Sequence, residues 1–118
     1  MNTEKHVQPT EGAMAAPITL DYLEQCIKAR FKIWGLEDGE PTKQLAKMYE
    51  EGGELAGAIL RRNEDEIRDG LGDVFITLVG LSLQLGMSLT ECVAEAYAVV
   101  KERKGETRDG VFIKQDDL

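Results

Sequence analysis

Apolar residues recur three and four positions apart in four stretches of the chain, each bounded by a helix start or stop signal. The first runs Leu20, Leu23, Ile27, Phe31 and Trp34, with Thr19 as the expected N-cap and Gly35 as the stop. The second opens at Pro41-Thr42 and sets Leu45, Met48, Gly52, Leu55 and Ile59 along one face. The third carries Ile67, Leu71, Val74, Leu78, Leu81 and Leu85 and ends near Gly86. The fourth begins with a capping-box pattern at Ser88 and Glu91, and repeats Leu89, Cys92, Val93, Ala96 and then Val99 or Val100. Four such segments predict an all-α fold, a four-helix bundle over residues 18–118. Residues 1–17 show no sustained periodicity and read as a flexible leader.

The third segment has no charged residue between Asp73 and Glu91. It is too short and too rich in Thr, Ser, Gln and Gly for the ~20 apolar residues that a bilayer requires. A helix apolar nearly all round is buried on every side, and a small bundle achieves that by oligomerising. A homo-oligomer, dimer or tetramer, is expected, in the cytoplasm and away from membranes.

At 118 residues the chain holds one modest core. A net charge of −8 excludes a nucleic-acid-binding surface, which needs clustered Lys and Arg. Cys26 and Cys92 fall at apolar positions without a Cys-x-x-Cys pair and read as reduced core residues. The single histidine, His6, lies in the leader, which removes Ser-His-Asp and Cys-His catalysis.

Carboxylates supply the candidate chemistry. Glu50 and Glu51 both neighbour Glu54 on one helix, and Asp69 neighbours Asp73 on the next. If the helices fold back antiparallel, two acidic stripes face one another. Such a cluster repels itself unless a cation sits between them, and an all-oxygen donor set suits Mg²⁺ or Mn²⁺. The bland reading is a solvated acidic face. It explains Glu64 and Asp65, which suit the start of the third helix, but not Asp73, which is about two turns inside that helix. Gly52 and Gly53, mid-helix beside these acids, mark either close helix packing through Gly52 or room for a metal or phosphate. Lys32 and Trp34 at the end of the first helix could stack on a nucleobase, against a core role for Trp34. Lys101, Arg103 and Lys104 end the fourth helix, either complementing its dipole or contacting phosphate. Val111-Phe112-Ile113 reads as a short docking patch.

Glu50-Glu51-x-x-Glu54 followed by a carboxylate pair ending at Asp73 resembles the MazG-like nucleoside triphosphate pyrophosphohydrolases. The closing Lys101-x-Arg103-Lys104-Gly105 and Gly110-Val111-Phe112-Ile113-Lys114 resemble their small phage-type branch. The resemblance spans roughly residues 19–114 and implies an oligomeric MazG-like bundle. It implies Mg²⁺-dependent cleavage of an NTP or dNTP to the monophosphate and pyrophosphate. Glu51, Glu54, Asp69 and Asp73 would hold metal, and Glu50, or whichever carboxylate metal does not saturate, Glu51 and Glu54 included, would orient or deprotonate the attacking water. Lys101, Arg103, Lys104, Trp34 and Lys32 would contact substrate. Two positions depart from the family pattern: Gly70 stands where a glutamate is usual, and Ala98 where an asparagine is usual. They favour the rival class, a non-catalytic helical oligomer with a structural or vestigial metal site. A third reading is cleavage of another pyrophosphate, such as a nucleotide alarmone.

Overall fold

The computed structural model describes residues 17–118. The expected leader, His6 included, lies outside the described residues apart from Pro17. Four helices follow in order: α1 (Leu20–Ile33), α2 (Pro41–Arg61), α3 (Glu64–Gln84) and α4 (Leu89–Val100). The all-α expectation holds.

Local chemistry sets the helix ends. Thr19, Asn63 and Ser88 each accept a hydrogen bond from the backbone N–H three residues on, at 3.0, 3.1 and 3.2 Å. Pro41 occupies the first turn of α2, where its missing N–H is no loss. Gly35, Arg62 and Gly86 turn the chain out of α1, α2 and α3 with φ of 72°, 56° and 72°. At each stop the following residue donates back into the last helical turn, as Asn63 N does to Ala58 O at 3.1 Å.

The packing differs from the pattern reading in one respect that bears on function. The predicted seam of α3 leaves Leu71 60% exposed and Leu85 49% exposed, whereas Gly70, Thr77, Val79, Gly80 and Ser82 are buried. Small residues win this face because they let backbones approach. A Cβ on Gly70 would lie 3.1–3.3 Å from Leu55, and one on Gly80 would meet the Phe31 ring at 2.1 Å. The close packing expected at Gly52 does not occur within the chain, since a Cβ there meets nothing within 4 Å. The close approach is made from the other side, by Gly70. Thr77 and Ser82 satisfy their hydroxyls on the carbonyls of Val74 and Val79. Cys26 and Cys92 are free thiols, half-buried rather than core.

α4 buries none of its residues, and Val93, Tyr97, Val99 and Val100 remain exposed. What ties it down is Glu24 of α1. This buried carboxylate accepts from the N–H groups of Leu89 and Thr90 at 2.9 and 2.7 Å, and from the hydroxyls of Ser88 and Thr90. Lys28 reaches it at 2.9 Å and also donates to Met87 O. A carboxylate on unpaired N–H groups at a helix start is favoured by both hydrogen bonding and the dipole.

The C-terminal segment is an antiparallel hairpin, β1 (Gly105–Arg108) with β2 (Val111–Lys114), closed by a 3₁₀ turn at Gln115–Asp117. The expected docking patch Val111-Phe112-Ile113 is therefore a strand. Asp109-Gly110, with φ of 51° and 77°, forms a tight turn whose twist suits paired strands, a two-residue signal legible in the sequence.

Candidate functional site

α2 and α3 run antiparallel because Arg62 and Asn63 reverse the chain at once, so their acidic stripes meet across one cleft of about 460 Å³. Its walls carry Glu50 and Glu54 from α2 and Glu66, Asp69 and Asp73 from α3. Gly53, Gly57 and Gly70 leave its floor without side chains. Oxygens of Glu50, Glu51 and Glu54 all lie within 4.8 Å of one another. That separation is compatible with carboxylates arranged around one hard cation.

Glu51 is the most enclosed of the three, its side chain 13% exposed against 57% for Glu50. Lys47 spans both, 3.2 Å from Glu50 and 3.6 Å from Glu51. The Glu50 contact leads in pushing the Lys47 ammonium up from its ordinary value. One lysine offsets only part of the local charge. Asp73 registers the rest: burial pushes its carboxyl above the ordinary range, and the charges of Asp69 and Glu51 push it further, against an opposing pull from Lys47. A carboxylate whose charged form is disfavoured by burial and by acidic neighbours is one that a cation would relieve.

Asp73 also lines a second pocket of about 270 Å³ on the other side of Glu51. Phe31 and Trp34 supply its aromatic wall, their ring centroids 5.7 Å apart, and Gln44 and Thr77 its polar edge. Gln44 donates to Thr77 O at 3.0 Å. Trp34 is 57% exposed, so the core aromatic of α1 is Phe31, at 4%. Two sites thus meet at Asp73, one acidic and one largely apolar.

The structure brings together Glu50, Glu51, Glu54, Asp69 and Asp73, with Trp34 alongside. It does not bring Lys101, Arg103 or Lys104 to this cleft within one chain. Arg103 and Lys104 instead line a separate hollow with Lys114 and Asp116 at the hairpin. Lys32 stands outside both pockets, 4.0 Å from Glu37. Glu50 lines the cleft while remaining exposed. Sequence reasoning missed Lys47, although its spacing three and four residues before Glu50 and Glu51 is a readable signal. It also missed Arg61, whose place at the cleft depends on where its side chain folds.

Gly70 has a structural reason. It lies against Leu55, which a Cβ at this position would approach to 3.1–3.3 Å and push aside, and Asp69 beside it lines the cleft.

A protein of Haemophilus phage HP1, described as an uncharacterized 18.2 kDa protein in the rep-hol intergenic region, is 41% identical over 49 residues. The matched stretch covers 42% of this chain and 30% of that protein's length. No solved structure matches. No single helix among the described residues is long and apolar enough to cross a membrane. The MazG nucleotide pyrophosphohydrolase domain matches residues 40–107, the stretch that contains α2, α3, α4 and every carboxylate of the cleft, and the chain belongs to that family.

Proposed function

We propose that the cleft hydrolyses a nucleoside triphosphate between its α and β phosphates, releasing the monophosphate and pyrophosphate. The observation that carries this reading is the convergence of two acidic stripes on one glycine-floored cleft, with Asp73 held above its ordinary pKa among them. Glu51, Glu54, Asp69 and Asp73 are the residues to hold Mg²⁺ or Mn²⁺. When bound, the ion would supply charge neutralisation for the phosphate oxygens and for the departing pyrophosphate. Glu50, exposed to solvent and tied down only by Lys47, orients the attacking water and takes its proton. Water adds to the α-phosphorus, the bond from that phosphorus to the bridging oxygen breaks, and the leaving electron pair goes to pyrophosphate.

The aromatic pocket beside Asp73 takes the base and sugar, with Trp34 as a stacking face. A second copy of the chain covers the exposed apolar residues of α3 and α4, Leu71, Val93, Tyr97 and Val99 among them. Lys101, Arg103 and Lys104 would approach substrate only from such a neighbour.

The test is to incubate purified protein with Mg²⁺ and a panel of NTPs and dNTPs and to resolve the products by anion exchange. Monophosphate with pyrophosphate, lost on chelation, is expected. Diphosphate with inorganic phosphate would place attack at the γ-phosphorus and overturn the mechanism. Absence of turnover with every nucleotide, in Mg²⁺ and in Mn²⁺, would favour a non-catalytic helical oligomer.

A further inference from the structure

We propose that Arg61 is the binding residue for the terminal phosphates of the substrate and for the pyrophosphate that leaves, with Glu66 holding its guanidinium in place when the cleft is empty. The proposal rests on reading the cleft as a polyphosphate site.

Among the described residues that line the acidic cleft, Arg61 is the one cation. It is the last residue of α2, and a long helical side chain leans back toward the helix N-terminus, over the preceding turn. The residue one turn back is Gly57, and the guanidinium lies over it. A Cβ on Gly57 would lie 3.0 Å from Arg61 Nη1 and 3.8 Å from Cζ and Nη2.

The position along α2 gives the substrate a direction. Gly57 lies three residues beyond Glu54, which is about 4.5 Å along the helix axis. Along α2, the guanidinium therefore lies about a turn beyond Glu54, toward the reversal at Arg62. A polyphosphate whose α-phosphate sits among the carboxylates runs its β and γ phosphates toward Arg61. The aromatic pocket lies on the other side of Glu51 and Asp73, where the nucleoside would be.

The resting contact is of a kind that a phosphate displaces. Arg61 Nη2 donates to Glu66 Oε1 at 2.9 Å, with the two side chains 61% and 52% exposed. Exposed ion pairs contribute little net stability. A guanidinium fork matches two phosphate oxygens at once. Glu66 then competes with the substrate for Arg61, which sets the two residues in opposition.

That opposition makes the test. Affinity for inorganic pyrophosphate with Mg²⁺, and for a nucleoside monophosphate, is measured by calorimetry on the wild type, Arg61→Ala, Arg61→Lys and Glu66→Gln. Arg61→Ala is expected to weaken pyrophosphate binding about tenfold or more, with partial recovery in Arg61→Lys. Glu66→Gln is expected to tighten it, by up to about fivefold. Monophosphate affinity stays unchanged in all three. Wild-type pyrophosphate affinity in Arg61→Ala would overturn the proposal. So would a uniform loss in Arg61→Ala and Glu66→Gln with a lowered Tm, the signature of an ion pair that only braces the α2–α3 turn. A wild type that binds no pyrophosphate would overturn it as well. Turnover of triphosphates with unchanged pyrophosphate affinity in Arg61→Ala defeats this assignment alone. Pyrophosphate bound through Arg61 without turnover of any nucleotide defeats the hydrolase reading alone.

Discussion

Glu24 and Asp73 are two carboxylates of one small bundle with opposite electrostatic fates. Burial alone would push the Glu24 carboxyl up. Hydrogen bonds from the Thr90 hydroxyl, Lys28 and the N–H groups of Thr90 and Leu89 overcome it and hold the group at about 2. Asp73 also loses water, but its neighbours Asp69 and Glu51 are themselves acids, and its pKa rises. The difference lies in who supplies the positive end. At Glu24 the chain supplies it, from a helix start and a lysine, and the result joins α1 to α4. At Asp73 the described residues supply an opposing pull from Lys47 that the acidic neighbours and burial outweigh, and the deficit is left for something that binds. A satisfied carboxylate is structure, and a clustered unsatisfied one is capacity for a ligand.

The comparison breaks most visibly in activity. Asp73→Asn, or Glu54→Gln, is expected to lower Mg²⁺-dependent hydrolysis by about 10³-fold or more, since several kcal/mol of charge stabilisation depend on these oxygens. Product analysis under single-turnover conditions checks it, with the helical circular dichroism unchanged. Full activity in either variant would sink the metal assignment.

Next in size is the stability held by Glu24. Glu24→Gln keeps the shape but removes the charge facing Lys28 and the α4 N–H groups, and is expected to cost about 3 kcal/mol in urea unfolding. The sign of the pH dependence follows from the depressed value. The contribution of Glu24 is complete above its ordinary pKa of 4.5 and is lost as pH falls through about 2. The variant should therefore approach the wild type in strongly acidic solution. A variant as stable as the wild type at pH 7 would show that α4 is held by other means.

The smallest effect has the opposite sign. A raised carboxyl pKa means that the stability Asp73 confers when protonated is lost as pH rises through its raised value, so ionised Asp73 opposes folding at neutral pH. Asp73→Asn is expected to stabilise the metal-free protein by about 1 kcal/mol while abolishing its activity. Calorimetric Tm values with and without Mg²⁺ check both halves: the ion should raise the wild-type Tm and leave that of Asp73→Asn nearly unmoved. A lowered Tm in the metal-free variant would mean that Asp73 is structurally paired, as Glu24 is.

The contrast was only half legible before the fold. Asp73 stood out because a carboxylate deep in an otherwise uncharged helix needs a partner. Glu24 sat unremarked in α1, since its partners at Ser88, Leu89 and Thr90 are more than sixty residues away. The Asp109-Gly110 turn was a readable hairpin signal that a helical pattern search passes over. Trp34 could not be assigned between core and ligand from helix spacing, because Phe31 shares that face and competes for the same core; packing against Gly80 decided for Phe31.

Local chemistry by itself determined the helices, their caps at Thr19, Asn63 and Ser88, and the spacing of the carboxylates. Those are short-range matters of periodicity and backbone satisfaction. Only the tertiary structure decided which face of each helix turns inward. Periodicity marks a stripe as apolar, but how closely two backbones approach depends on small residues meeting large ones across a gap. Gly70 against Leu55 and Gly80 against Phe31 are such meetings, and they set how α3 packs on α2 and α1, with Leu71 and Leu85 of its predicted seam left exposed.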